Sequence, residues 1–544
     1  MNVIINPIEH LAGYRRHRHT HPVLVAAALA LLPTPAAAET LMDAVAAAYA
    51  DNPVLVEQRY RQKSTNENYV QVRSQYGPSL SVTANARYDF AKLRSSENSS
   101  KTGNAFLNLR QQVYSGGRTR GALEEARANV FASQERLRRV EGETIQAVVI
   151  VYAAVLRDQH RLEVSRQNVE VLREQLDARR ARRKVRDVTI TDVAQSDVRL
   201  ASGETQLANA EAQLSISRGE YLRVVGHEPG ELAPLPELPG LPASIDEAFD
   251  VADLENANLT AARRAEEATR ANIAAERGSQ RPNAVLQAQA GKTGTLNPIR
   301  ARDFQTEVIA QVTITQPLWQ GGQIRSRIRQ AQDQNNAAQA VVDGERRQAL
   351  QDVVQAWNQL GSSRVAVVSG TRQVQAAQIA FAGMQREETY GLRSTIEVLN
   401  SEQELASAQL NLLTARFQEY VARANLLLAM GRLDARTINS AIPAKDPMAE
   451  FKKVRWRGML PTDPAMMLVD HIGSAKLYPK RKPDLRGNNQ PKPTGQPALP
   501  PTPDKRFTDT PLVPIKESPL IPGDQLPDSV KYYETAPAPG EPRQ

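Results

Sequence analysis

Apolar residues recur along this chain with two different periods. From Ser81 to Phe90 they alternate strictly, with Val82, Ala84, Ala86, Tyr88 and Phe90 on one face and Ser81, Thr83, Asn85, Arg87 and Asp89 on the other. Leu107, Leu109 and Val113 continue that period beyond a polar loop over 95–103. The pattern returns at Ala284, Leu286, Ala288 and Ala290, and again at Phe304, Val308, Ala310, Val312 and Ile314 after a loop over 291–303. Period two predicts half-buried strands. There are four, each of roughly 9–12 residues, the length a tilted strand needs to cross a bilayer. A soluble hairpin would share the pattern. In lipid, however, four strands cannot close a barrel and open edges are not tolerated, so membrane strands require several copies of the chain.

Between the strands the period is helical and long. No proline interrupts 80–228 or 318–442. Arg118 to about Lys184 and Gln323 to about Glu388 predict helices of about 67 residues, or roughly 100 Å at 1.5 Å per residue. Shorter helices follow over Thr189–Val225 and Ser394–Met430, about 55 Å each. The segments Thr40–Arg73 and Ile245–Arg277, about 50 Å each, lead into the strands. A short helix laid end to end with a leading segment would match one long helix.

The alternation of periods occurs twice because the chain is duplicated. Residues 111–226 align with 316–431 at a constant shift of 205, so that Gln111, Gly116, Gly117 and Arg120 fall on Gln316, Gly321, Gly322 and Arg325. Tyr152 falls on Trp357, and Ser196, Leu200 and Gly226 on Ser401, Leu405 and Gly431. Upstream the shift is 204, with Asn52 on Asn256. One unit of about two hundred residues has been repeated, too long a period for a solenoid. The expected organisation is a signal peptide over 1–38, a first repeat over 39–228, a Pro-rich linker over 229–243 and a second repeat over 244–440. A Pro-rich, basic tail over 441–544 follows. Of the 34 prolines, 18 lie in 448–544, a composition that predicts disorder.

Composition narrows the function. Arg15, Arg16 and Arg18 precede the apolar run Val23–Leu32 and then Ala36-Ala37-Ala38, the layout of an export signal with cleavage expected after Ala38. The chain has no cysteine, and its histidines beyond that leader are the scattered His160, His227 and His471. Neither disulfides nor a metal centre is expected. The net charge of +8 is spread without aromatic interleaving, and export separates the chain from nucleic acid, so no nucleic-acid partner is expected. No nucleophile–base pair or phosphate loop is evident, so no catalysis and no cofactor are expected.

Several motifs together resemble the TolC family of outer-membrane factors. Gln316-Pro317-Leu318-Trp319-Gln320-Gly321-Gly322 and Gln112-Val113-Tyr114-Ser115-Gly116-Gly117 are similar to that family's strand-to-helix junctions. Tyr390–Asn400 resembles its motif at the periplasmic helix turn, and Ala415 through Leu433 the end of its second repeat. Coverage is about 39–440. The resemblance implies a mixed α and β homotrimer, in which a 12-stranded outer-membrane β-barrel (four strands per chain) continues into a long periplasmic α-helical barrel. It also implies outer-membrane lipid around the strands. At the far tip it implies a periplasmic adaptor and an inner-membrane transporter, either an ABC exporter or a proton-driven pump.

By the same resemblance, Arg393 matches an arginine that holds the tip shut, and Thr191 and Asp192 match its partners. A tyrosine of that lock falls on Glu388. Two aspartates of the family's constriction ring fall on Glu397 and Asn400, so one acid per chain is kept. Solvated helix-end charge is the bland alternative for these residues. Gly116, Gly117, Gly321 and Gly322 would make the strand-to-helix turns, where backbone angles that other residues resist are needed. The expected function is a passive exit duct, with type I protein secretion as first choice and multidrug efflux as alternative; a trimeric structural stalk is the rival from another class.

Overall fold

The period-two segments pair into one antiparallel sheet. The computed structural model of the chain describes residues 38–93, 96–297, 299–438, 446–472, 495 and 497–502. In it, β1 (Ser79–Leu93), β2 (Ser96–Tyr114), β3 (Asn283–Thr295) and β4 (Gln305–Thr315) lie in the order β1-β2-β3-β4. Register places Val82, Leu107, Ala290 and Val308 in one row across the four strands. Leu80, Leu109, Ala288 and Ala310 form the next row on that face. The opposite face is mostly polar, and there Gln311 Nε2 donates to Gln287 Oε1 at 2.9 Å. Nothing covers the apolar rows, since Val82 and Val308 are each 73% exposed.

The strands exceed the expected lengths. Residues 96–103 and 291–295, read as loop from the sequence, are strand, giving β1 15, β2 19 and β3 13 residues. There the apolar residues of β1 face polar partners: Phe90 lies opposite Ser99 and Tyr88 opposite Lys101, whose ammonium stands 5.7 Å from the Tyr88 ring centroid. Such pairs stabilise a ladder without any apolar alternation, so the hydrophobic pattern stops short of the true strand ends.

The helices follow the expected duplication. Helix α1 (Leu41–Asp51) and α2 (Pro53–Arg73) precede β1, while α3 (Arg118–Lys184) and α4 (Ile190–Val225) follow β2. The second repeat gives α5 (Ile245–Glu255), α6 (Ala257–Gly278), α7 (Gln323–Thr389) and α8 (Thr395–Met430). Both long helices have 67 residues and both short ones 36. Helices α2 and α4 pack along α3, α6 and α8 pack along α7, and α6 also packs on α3, which ties the repeats together.

Each leading segment, expected as one helix, is broken at an asparagine. Asn52 caps α2, its Oδ1 accepting from Val54 N (3.0 Å), while its Nδ2 donates to Val224 O (2.9 Å) at the end of α4. Pro53, which lacks an N–H, fits the first turn. Asn256 repeats the joint, accepting from Asn258 N (3.0 Å) and donating to Ala429 O (2.9 Å) at the end of α8. The short helices therefore stack end to end through an asparagine, and α1 and α5 fold aside onto the core. That core surrounds the joints. One part gathers Leu41, Tyr49, Val148, Tyr152, Tyr221 and Leu427, and another Phe249, Trp357, Leu360, Leu426 and Met430.

Two glycines mark each passage from strand to helix. Gly116 and Gly117 have φ of 71° and 85°, and Gly321 and Gly322 have 57° and 82°, the left-handed region that glycine adopts without penalty. At Gly116 a Cβ would also stand 2.6 Å from Gly278 O.

Residues 446–472 depart from the disorder expected of the C-terminal tail. After α9 (Ala435–Ile438), α10 (Pro447–Val454) and α11 (Asp463–His471) pack against the first repeat. Phe451 is buried edge-on to Tyr69, ring centroids 5.0 Å apart. Asp470 is buried at the first glycine turn, where its carboxylate accepts from Ser115 N (2.8 Å), Gly117 N (3.2 Å) and Tyr76 OH (3.2 Å). Arg73 donates to the carbonyls of Arg455 and Arg457. Each short helix buries too few side chains to show a period, so composition alone misjudges this part. The export signal expected over 1–38 lies outside the described residues except for Ala38.

Candidate functional site: the helical tip

The two long–short helix turns are built alike. Thr189 caps α4: its Oγ1 accepts from Asp192 N (3.2 Å), and Asp192 Oδ2 accepts from Thr189 N (2.8 Å) and Oγ1 (2.7 Å). At shift 205, Ser394 caps α8, and Glu397 Oε2 accepts from Ser394 N (2.9 Å) and Oγ (2.8 Å). Asp192 and Glu397 are thus the same residue of the repeat, each closing a reciprocal cap. The bonds from Thr189 hold the Asp192 carboxyl below the usual range, and those from Ser394 do the same for Glu397. Both stay ionised at neutral pH.

Arg393 is not bonded to Thr191 or Asp192 within the chain. Its Nε donates to Glu387 Oε2 (2.7 Å) and its Nη1 to Glu397 Oε1 (3.3 Å), which raise its pKa, the Glu387 bond most. Thr191 is exposed on the adjoining turn. Asn400 accepts at Oδ1 from Arg199 Nη2 of α4 (2.7 Å), linking the repeats across the tip. The chain therefore brings Glu397 to Arg393 and Asn400 to Arg199, while Asp192 is held in its own cap by Thr189 and Thr191 is exposed.

A buried network, missed in the sequence, holds the two hairpins together just above. Arg179 of α3 is only 4% exposed. Its Nη1 donates to Ser196 Oγ (2.9 Å) and its Nη2 to Glu388 Oε1 of α7 (3.1 Å). One turn up, Gln175 Nε2 donates to Glu402 Oε2 of α8 (2.8 Å). Burial pushes the Glu402 carboxyl up to about 7, partly offset by the Gln175 bond. Glu388, where the resembling family has a tyrosine of the lock, thus binds an arginine of the other repeat. The signal was available. Arg179 continues the buried spacing of Asn168, Leu172 and Leu176, although the basic run around it reads as solvated. Removing one partner of a buried pair typically costs about 3–5 kcal/mol, far beyond what exposed pairs contribute.

A duplicated helical hairpin bearing a two-faced ribbon of strands defines the class: an outer-membrane channel protomer with a long helical body. The model of the family described as "Outer membrane efflux protein" matches residues 44–226 and 249–432, one match per repeat, and the chain belongs to this family of TolC-like proteins. It is 30% identical over 448 residues to the outer membrane efflux protein BepC of Brucella suis, covering 81% of this chain and 97% of that protein. To the alkaline protease secretion protein AprF of Pseudomonas aeruginosa it is 28% identical over 315 residues, 56% of this chain and 65% of that one. In fold it matches the outer membrane protein VceC of Vibrio cholerae with a TM-score of 0.62 at 18% identity, over 72% of this chain and 96% of VceC. The chain is accordingly an outer-membrane channel component of export systems.

Proposed function

We propose that three copies of this chain form a passive duct through the outer membrane, gated at the periplasmic tip and serving efflux of small molecules. The observation that carries the reading is the ribbon: four strands with free edges at β1 and β4, one apolar face and one polar face. Lipid tolerates no such edges, so closure needs further copies, and three give twelve strands. The apolar rows would meet lipid and the polar face would line a water-filled lumen. Helix α7 supports the same reading, because its first half is largely exposed where α3 is buried at the equivalent positions. An adaptor and an inner-membrane transporter would dock at the tip, where Arg393 of one copy would meet Thr191 and Asp192 of the next.

Similarity to BepC over nearly that protein's whole length favours efflux. Type I protein secretion, the first expectation from the sequence, is the second reading, and similarity to AprF supports it. Deleting the gene in the source bacterium separates them. Efflux predicts sensitisation to small toxic compounds with an unchanged set of secreted proteins; loss of one secreted protein without sensitisation would reverse the order.

A further inference from the structure

At the level of the helix joints, equivalent aromatic residues of the two repeats hold extended, proline-bearing chain. Tyr152 OH lies 2.8 Å from Glu39 O and 2.7 Å from Ala233 O, its one proton shared between them, and Tyr420 OH of α8 donates to Pro236 O (2.9 Å), so the inter-repeat linker lies against both repeats. Trp357 stands at shift 205 from Tyr152, and its Nε1 donates to Pro497 O (2.9 Å) of the C-terminal segment. Arg364, two turns further along α7, donates from Nη1 to Pro500 O (2.8 Å). Between these bonds Leu499 packs into the cluster of Phe249, Trp357, Leu360 and Met430. The segment passes close over Gly361, where a Cβ would stand in ordinary contact with Leu499 Cδ2 (3.7 Å) and Pro500 Cδ (3.8 Å).

The chemistry of the site matches that of its occupant. Residues 497–501 read Pro-Ala-Leu-Pro-Pro, a segment poor in N–H groups that adopts the extended polyproline form at low entropic cost and offers carbonyl acceptors. An indole N–H and a guanidinium on an apolar bed are the donors such a ligand requires. Arg364 has a reason of its own to bind it. Buried Arg364 and Arg423 share the carboxylate of Glu419, at 3.7 Å and 2.6 Å, so two guanidinium groups meet one acid and the Pro500 carbonyl supplies a further acceptor.

We propose that the face of α7 bearing Trp357, Gly361 and Arg364, walled by α5 and α8, is a recognition site for an extended Pro-x-Leu-Pro peptide, filled in cis by residues 497–500. The inter-repeat linker is joined directly to a repeat at each end. This occupant, in contrast, is joined to α11 only through residues 473–496, so it binds as a tethered ligand whose effective concentration is on the order of millimolar.

The test uses a chain ending at Thr494, purified in detergent, and a fluorescein-labelled peptide of residues 495–504. Fluorescence anisotropy should show saturable binding with Kd on the order of 10–100 μM, and binding to the full chain at least about tenfold weaker because its own segment fills the site. Leu499→Asp in the peptide, or Arg364→Gln in the shortened chain, should weaken binding at least about fivefold. No saturable binding up to about 1 mM, equal binding by the Leu499→Asp peptide, or equal binding to the full chain would overturn the proposal. Should the shortened chain fail to fold, the cysteine-free full chain carrying Gly361→Cys and Leu499→Cys answers the same question. A short bis-maleimide should then cross-link the pair within one chain, and absence of that link, or links between chains only, would overturn it.

Discussion

Asn256 donates its side-chain amide to the carbonyl of Ala429 at 2.9 Å, and this bond splices two separate helices into one column. Asn52 does the same to Val224 at 2.9 Å in the first repeat. Each asparagine also caps the helix it begins. The long wall of the molecule thus depends on two buried side chains whose backbone partners lie more than 170 residues away, separations of 173 and 172.

Replacing Asn256 by Ala removes a cap and leaves the Ala429 carbonyl without its donor. Caps contribute about 0.5–2 kcal/mol and an orphaned buried acceptor about 1–3 kcal/mol. The expected result is a lower thermal unfolding midpoint followed by circular dichroism at 222 nm, with Asn256→Asp milder than Asn256→Ala. An unchanged midpoint in both would mean the joint holds without its asparagine.

The buried pair of Arg179 and Glu388 should matter more to the tip than the exposed pairs of Arg393. Arg179→Met is expected to destabilise by roughly 3–5 kcal/mol and to speed hydrogen exchange over 385–405. Slow exchange in that variant would show that the pair is dispensable.

Glu402 makes the tip sensitive to pH. Burial lifts its carboxyl to about 7 in the folded chain, above the roughly 4.3 of a free glutamate, so the folded state holds the extra proton between those values. The stabilisation from this group is fully present below the lower value and lost as pH rises through the higher one, up to about 4 kcal/mol in all. Hydrogen exchange around 398–406 should accelerate from pH 5 to 8, once corrected for intrinsic rates. Glu402→Gln should flatten that dependence, and a variant as pH-sensitive as the parent would exclude Glu402 as its source.

If copies meet through Arg393, Thr191 and Asp192, then Arg393→Ser and Asp192→Ala should each raise single-channel conductance in planar bilayers. Asp192→Ala also removes a helix cap, so Arg393→Ser is the cleaner variant. Conductance equal to the parent in both would remove these residues from the gate. For Glu397→Gln, weaker cation selectivity is expected, read from reversal potentials.

Much of the fold was legible in the sequence, for identifiable reasons. Gly116-Gly117 and Gly321-Gly322 announce the starts of α3 and α7, and the shift of 205 allows each element to be read twice. Strand ends were not legible over 96–103, where Ser99 and Lys101 pair with Phe90 and Tyr88, because a polar strand carries no hydrophobic alternation of its own. Asn52 and Asn256 align visibly, yet a joint to Val224 or Ala429 depends on contacts across the fold. At the tip, resemblance singled out Asp192 and Glu397, which the structure shows as helix caps, whereas Arg179 was hidden in a run of arginines that reads as solvent-facing. The segment 446–472 was misjudged because Asp470 is held by three donors on the first glycine turn and by the Tyr76 hydroxyl rather than through apolar burial.

The most direct measurement is the mass and conductance of the purified mature protein. Light scattering in detergent, corrected for bound detergent, should give three chains per particle, and the same particles should open ion-conducting pores in a planar bilayer. Monomeric particles that conduct nothing would contradict closure of the ribbon by three copies.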